Sequence, residues 1–279
     1  MKSFKTPLRY PGGKSRACTK MDQYLLKVSD CKEYREPFLG GGSVAIHVTK
    51  KYPHLDVWVN DLYEPLYNFW RVLQDTGADL AENIGELKSQ HPEPESAKDL
   101  FLKSKNTVND YTKSNLSRAT AFYIINKCSF SGLTESSSFS KQASVSNFSM
   151  RGIEKLPGYS QIIKDWKITN LSYEKLLTDS KECFTYLDPP YEIKDNLYGK
   201  KGSMHNGFNH DDFALDCDRH IGYQLISYNS SNLIRERFEG WKTGEFDLTY
   251  TMRSVGEYMR EQKDRKELLL FNYGIEGLA

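Results

Sequence analysis

The stretch from Tyr34 to Asp61 constrains the fold more than any other part of the chain. Tyr34 to Phe38 reads as a short strand, and Phe38-Leu39-Gly40-Gly41-Gly42-Ser43 follows it. A helix then opens with Ser43 near its N-cap and runs through Val44, Ala45 and Val48, and Asp56 to Val59 forms the next strand, ending at Asn60-Asp61. A strand, a glycine loop, a helix and a second strand make one β-α-β unit, which belongs in a parallel sheet covered by helices. Glycine lets the backbone turn tightly and approach a ligand, while a helix N-terminus offers unpaired N–H groups. Gly40 lies 21 positions before Asp61, the spacing expected for a carboxylate that receives ribose hydroxyls. Three glycines alone would equally make a plain turn; the Asp61 spacing is what points to a nucleotide-type ligand.

The rest of the chain repeats and then interrupts this alternation. Upstream, Arg9 to Lys14 is turn-rich and Cys18 to Val28 reads as a helix. From Glu64 to about Asn126 helical spacing dominates, broken at His91-Pro92-Glu93-Pro94, and a Ser-rich stretch without a clear period follows Cys128 as far as Ser149. Alternation resumes at Trp166. Strands are predicted at Lys167 to Thr169, Phe184 to Leu187 and Gln224 to Tyr228, and helices at Tyr173 to Leu177, Asp211 to Gly222 and Ser231 to Phe238. Phe246 to Met252 and Glu267 to Tyr273 read as a closing hairpin pair. The expected architecture is an α/β, doubly wound core from residues 1–62 and 166–279, with a mostly helical insertion at 63–165.

Composition excludes several classes. The chain of 279 residues carries a formal net charge of +1, so any polyanion-binding surface must come from local clustering of Lys and Arg. Cys18, Cys31, Cys128, Cys183 and Cys217 are odd in number and widely spaced, as reduced thiols are, with no C-x-x-C pair. The six histidines are scattered, and no metal site is expected. With no apolar run of about 18 residues and no secretory h-region, the expectation is a cytoplasmic protein without membrane association.

Asp188-Pro189-Pro190-Tyr191 stands at the end of an apolar strand, where ligand sites of open α/β sheets occur. Two successive prolines hold the chain extended and remove two backbone donors, so acceptors dominate the loop. An exocyclic amine suits such a loop. It presents two N–H donors, and its lone pair is delocalised into a ring. If the Asp188 carboxylate and the Pro189 carbonyl accept both hydrogens, the nitrogen can rehybridise and aim its lone pair at an electrophile. Tyr191 would stack on the ring. The alternative is a strand ending in a proline turn, with Asp188 as a cap and Tyr191 as filler. Gly13-Lys14-Ser15 imitates the end of a P-loop, but that motif needs glycine five positions before Gly13, where Leu8 stands.

In order, Arg9-Tyr10-Pro11-Gly12-Gly13-Lys14, Glu36-Pro37-Phe38-Leu39-Gly40-Gly41-Gly42-Ser43, Asn60-Asp61 and Asp188-Pro189-Pro190-Tyr191 resemble the motifs of the Dam-type, alpha-group DNA adenine-N6 methyltransferases. Asn126 to Glu135 (NKCSFSGLTE) is also similar to the segment before that family's recognition region. The resemblance implies a Rossmann-like methyltransferase fold with an inserted target-recognition domain, S-adenosylmethionine as methyl donor, and double-stranded DNA as substrate. It places Tyr10, Lys14, Phe38, Gly40, Gly42, Ser43, Asp61, Tyr173 and Asp188 at the cofactor, and Asp188, Pro189, Pro190 and Tyr191 at an adenine flipped out of the duplex. For Tyr10 and Tyr173 the alternative is core packing, and for Lys14 a solvated charge.

DNA contact is expected on the insertion. Between Thr112 and Lys155 basic residues outnumber acidic ones, and Arg118, Asn126, Lys127, Lys141 and Arg151 are the candidates. The hairpin tip, with Arg253, Arg260, Lys263, Arg265 and Lys266, is a second basic set, diluted by Glu257, Glu261 and Asp264. The loop Tyr198 to Asp212 resembles the family's mobile segment over the target; His205 and His210 could reach phosphate there, although plain exposure is the simpler role. The stretch after Gly132 lacks the Arg-Tyr-Asn and Phe-Asn-Val-Pro runs of GATC methylases, so the target sequence stays open, as do oligomeric state, with a monomer as the default, and any restriction-modification partner. An RNA adenine-N6 methyltransferase and a non-catalytic DNA-binding protein on the same fold are the competing readings.

Overall fold

The computed structural model describes residues 5–10, 12–130, 137–191, 207–247 and 266–275. Gly132, the loop with His205 and the hairpin tip with Arg253, Arg260, Lys263 and Arg265 lie outside the described residues.

Among the described residues seven strands form one sheet: β1 Glu33–Glu36, β2 Asp56–Asn60, β3 Lys167–Thr169, β4 Cys183–Leu187, β5 Tyr223–Asn229, β6 Lys242–Asp247 and β7 Lys266–Phe271. Their order is β3-β2-β1-β4-β5-β7-β6. β1 to β5 are parallel, and β7 runs antiparallel to both β5 and β6. Asn229 therefore pairs with Glu267, and the amino end of β7 lies at the edge where the parallel strands end. This is the expected α/β core closed by an antiparallel pair, although β6 lies earlier than the expected Phe246 to Met252, of which 248–252 fall outside the described residues.

The helices are α1 Cys18–Met21, α2 Ser43–Lys51, α3 Glu64–Gln90, α4 Pro94–Thr107, α5 Asn115–Cys128, α6 Lys141–Ser146, α7 Met150–Ile153, α8 Leu156–Ile163, α9 His210–Asp218 and α10 Asn232–Arg237. The proline break expected at 91–94 separates α3 from α4, with Pro94 opening the second helix, where a missing N–H costs nothing. The helix expected from Cys18 to Val28 is shorter. After Met21 the amides of Val28 and Cys31 reach back only three residues, and this tighter winding buries Met21, Leu25 and Val28 together.

Two apolar layers flank the sheet. One contains Leu187, Ile226, Tyr228, Leu268 and Leu270, covered by Phe213 and Cys217 of α9 and by Ile234 and Phe238. The other joins Tyr34, Phe184, Tyr186, Leu225 and Leu269 to α2 and to Leu66, Phe69, Trp70, Leu73 and Leu80 of α3. Secondary structure changes at residues 63 and 165, but this second core runs across both points.

Candidate active site

Side chains alternate along a strand, so every second residue faces the same layer. On the face carrying Tyr34, Tyr186, Leu225 and Leu269, one step further toward the ligand edge brings Glu36, Asp188, Ser227 and Glu267. Four neighbouring strands thus each present a polar group at one edge. Lys14 meets them from a single 3₁₀ turn, Lys14–Arg16, that follows Gly12 at φ 71°.

Lys14 is 2% exposed. Its ammonium donates to both carboxylate oxygens of Asp188 at 2.9 Å, to the Tyr191 hydroxyl at 2.7 Å and to the Gly12 carbonyl at 3.0 Å, and lies 3.3 Å from Glu267 Oε1. Its sequence alternative, a solvated charge, does not describe this residue. Burial pushes the Asp188 carboxyl up to about 6; Lys14 opposes the rise and Glu267 adds to it. Glu36, hydrogen-bonded by the Tyr34 hydroxyl at 2.7 Å, is held well above the carboxylate range, first by burial and further by the charge of Asp188. Pro189 is buried and Pro190 partly so. The Tyr191 ring lies 5.8 Å from that of Tyr228, with the hydroxyl anchored in the polar cluster.

The glycine loop sits beside this cluster. Gly40 and Gly42 have φ of 49° and 68°, a region side chains disfavour. A Cβ on Gly40 would lie 2.9 Å from the Tyr10 ring, and one on Gly42 2.7 Å from the Trp70 indole. The bareness of Gly42 therefore serves packing against Trp70. Gly42 is also the N-cap of α2, and Ser43, the first helical residue, turns its hydroxyl to that of Ser15 at 2.8 Å. Asp61 accepts the amides of Gly40 at 2.9 Å and Tyr63 at 3.0 Å, tying the end of β2 to the loop, and burial pushes its carboxyl up to about 6. Phe38 and Tyr173 stack at 5.5 Å, with Phe208 and Phe213 against them, and Tyr173 donates to Asp216 at 2.8 Å.

The candidate DNA residues separate into two groups. Arg118 is 3% exposed: its guanidinium pairs with Glu64, covers the Tyr111 ring and donates to the Val108 carbonyl at 3.2 Å. Asn126 is equally inward. It accepts the amide of Arg9 at 2.9 Å and donates to the Arg9 carbonyl, fixing the N-terminal segment to α5. These two are internal braces, because both are buried and bonded to the protein rather than facing outward. Lys141 and Arg151 are exposed, Lys141 beside Glu95 at 3.1 Å. Lys127 is partly exposed, and burial lowers its ammonium to about 7. His210 is engaged with the Tyr228 hydroxyl at 2.7 Å.

The sequence reading missed Glu267 and gave Glu36 no role. Glu36 adjoins the glycine loop, which was a usable signal. Glu267 stands in Asp264-Arg265-Lys266-Glu267, where it looks like one more charge of a solvated hairpin.

The chain is similar to known proteins. Over 289 aligned residues the chain is 25% identical to the type II methyltransferase M.MjaIII of Methanocaldococcus jannaschii, covering 95% of this chain and 98% of that protein. It is 21% identical to the type II methyltransferase M.CviBI of Paramecium bursaria Chlorella virus NC1A, over 97% of this chain and 100% of that one. A third similarity, 28% identity to the DNA N-6-adenine-methyltransferase of Escherichia phage P1, spans 45% of this chain and 15% of that protein. A family model matches residues 10–252, from the Tyr10 turn through the glycine loop and Asp188 to beyond β6; the chain belongs to the D12 class N6 adenine-specific DNA methyltransferase family.

Proposed function

We propose that this chain is a site-specific enzyme of the Dam-type alpha group, using S-adenosylmethionine to methylate N6 of an adenine extruded from double-stranded DNA. The observation that carries the reading is the Asp188 carboxylate, set at the end of β4 and held at both oxygens by Lys14, one strand from the glycine loop after β1 and two from Asp61 after β2.

The residues present fit a nucleoside-bearing donor. Asp61 spends one lone pair on each of two amides, and a carboxylate has about four such sites, so two hydroxyls can still be received. Each hydroxyl donor would relieve the desolvation that raises its carboxyl. Phe38 and Tyr173 offer an apolar aromatic wall for a base, and Tyr10 lies along the glycine loop. When bound, S-adenosylmethionine supplies a methyl group on a sulfonium, already activated toward an amine.

The chain's own task is then placement. Asp188 accepts one hydrogen of the target amine and the Pro189 carbonyl the other, which frees the nitrogen lone pair for direct in-line attack. Tyr191, anchored through its hydroxyl, keeps its partly exposed ring for stacking on the base. Lys127, Lys141 and Arg151 are the proposed DNA contacts. The type II designation of the two full-length relatives supports a site-specific role within a restriction-modification setting.

Asp188→Ala tests the reading. The variant should fold, melt cooperatively and form no N6-methyladenine in duplex DNA incubated with S-adenosylmethionine. Wild-type rates from it would sink the assignment. Expression in a methylation-free host with long-read mapping of modified bases would give the target motif in the same measurement.

A further inference from the structure

Glu267 lies in none of the motifs above, yet it is 1% exposed at the polar edge of the sheet. A buried carboxylate is costly unless it is well partnered. Here the Tyr191 hydroxyl donates to it at 2.5 Å, the Ser227 hydroxyl donates to the same oxygen, and Lys14 lies 3.3 Å away. Only an antiparallel strand could bring these together from this part of the chain, because β7 presents its amino end where β1, β4 and β5 present their carboxyl ends.

One ammonium thus faces two carboxylates, Asp188 at 2.9 Å and Glu267 at 3.3 Å. Alone, Lys14 would cancel the charge of Asp188 and weaken it as an acceptor. With Glu267 present, the ammonium is shared and the cluster keeps a negative excess. As the amine nitrogen bonds to the methyl carbon and the carbon–sulfur bond of the sulfonium breaks to leave a neutral thioether, the positive charge would move onto nitrogen until a proton passes to the Asp188 carboxylate or to solvent. A fixed negative cluster stabilises that state more than the neutral amine before it, which is the differential a catalyst needs.

We infer that Glu267 is a positioning residue for methyl transfer: by sharing Lys14 with Asp188, it keeps Asp188 an acceptor for the target amine. This rests on the reading of Asp188 as the amine acceptor.

The groups that act with Asp188 are Lys14 from the N-terminal turn, Glu36 on β1, Tyr186 on β4, Tyr191 beyond it, and Glu267 on β7. Among them Glu267 raises the Asp188 carboxyl and Lys14 lowers it.

Single-turnover methylation of duplex DNA by E267Q, E267D, K14M, K14M/E267Q and D188A tests the inference. E267Q should lose about tenfold or more in the single-turnover rate constant, with the DNA concentration for half-maximal rate held within about twofold, since only the transition state is affected. The acid limb of its rate profile should move to lower pH, and E267D should recover part of the rate. The double variant should be no slower than K14M, because Glu267 acts through Lys14. In the double variant, as in K14M, Asp188 loses its cation, so the comparison between the two isolates Glu267. If E267Q does not fold, the double variant against K14M decides: equal rates support the inference and a further loss overturns it. A wild-type rate and pH profile for E267Q, with D188A inactive, would overturn this inference alone. An active D188A would overturn the reading beneath it.

Discussion

Asp61 and Asp188 are carboxyls raised by burial, the opposite of the paired surface acids Asp22 and Glu245, whose carboxyls are lowered. A raised group contributes stability that is full below its unfolded value and is lost as pH climbs through the folded one. For Asp61 that window runs from the ordinary 3.8 to about 6. Relative to Asp61→Asn, the wild-type protein should lose on the order of 2 kcal/mol of unfolding free energy between pH 4 and 6.5, measured by urea titration. Identical pH slopes for the two proteins would contradict the burial account. A donor whose hydroxyls bind Asp61 should recover part of that loss, which gives the site its reason to carry the strain. Arg118 makes the contrasting case. Arg118→Ala leaves Glu64 without its cation and should cost about 2 kcal/mol or more in chemical denaturation, while DNA affinity of the folded fraction stays unchanged.

The glycine loop works as an element because two of its backbones are left-handed and the space beside them is already filled. Gly42→Ala adds a Cβ at φ 68° and drives it into Trp70, whose indole N–H also holds the Gly40 carbonyl at 3.1 Å. The expected cost is about 2–4 kcal/mol, with loss of donor affinity beyond what stability explains, read from thermal melting and calorimetry together. Ala tolerated at position 42 with normal affinity would mean that the loop moves freely of α3. At this scale the sequence was easy to read where apolar spacing was strong, as in β3, β4 and β5. It was hard to read where local winding tightened, as after Met21, since a 3₁₀ turn and an α-helix bury almost the same residues.

Across the whole molecule, the helices from α3 to α8 share their core with the sheet, through Leu66, Phe69, Trp70 and Leu80 on one side and Val44, Val59 and Ile168 on the other. Replacing residues 64–163 by a short linker should therefore leave a remainder without a cooperative thermal transition, a result circular dichroism would show directly. A cooperative melt from that remainder would establish two separable cores. The family's chemistry could be anticipated from Asp188 to Tyr191, Asp61 and the glycine loop, because each depends on residue type and short spacing: a strand end, a proline-locked acceptor loop, a backbone free of side chains. What sequence could not determine is which distant charges meet. Arg118 and Asn126 carry the right chemistry for DNA and are buried inside the fold, while Glu267 reads as a surface charge and is buried at the polar edge of the sheet. The reason is topological. Lys14 and Glu267 come from opposite ends of the chain, and only the placement of antiparallel β7 beside β5 lets one ammonium serve two carboxylates.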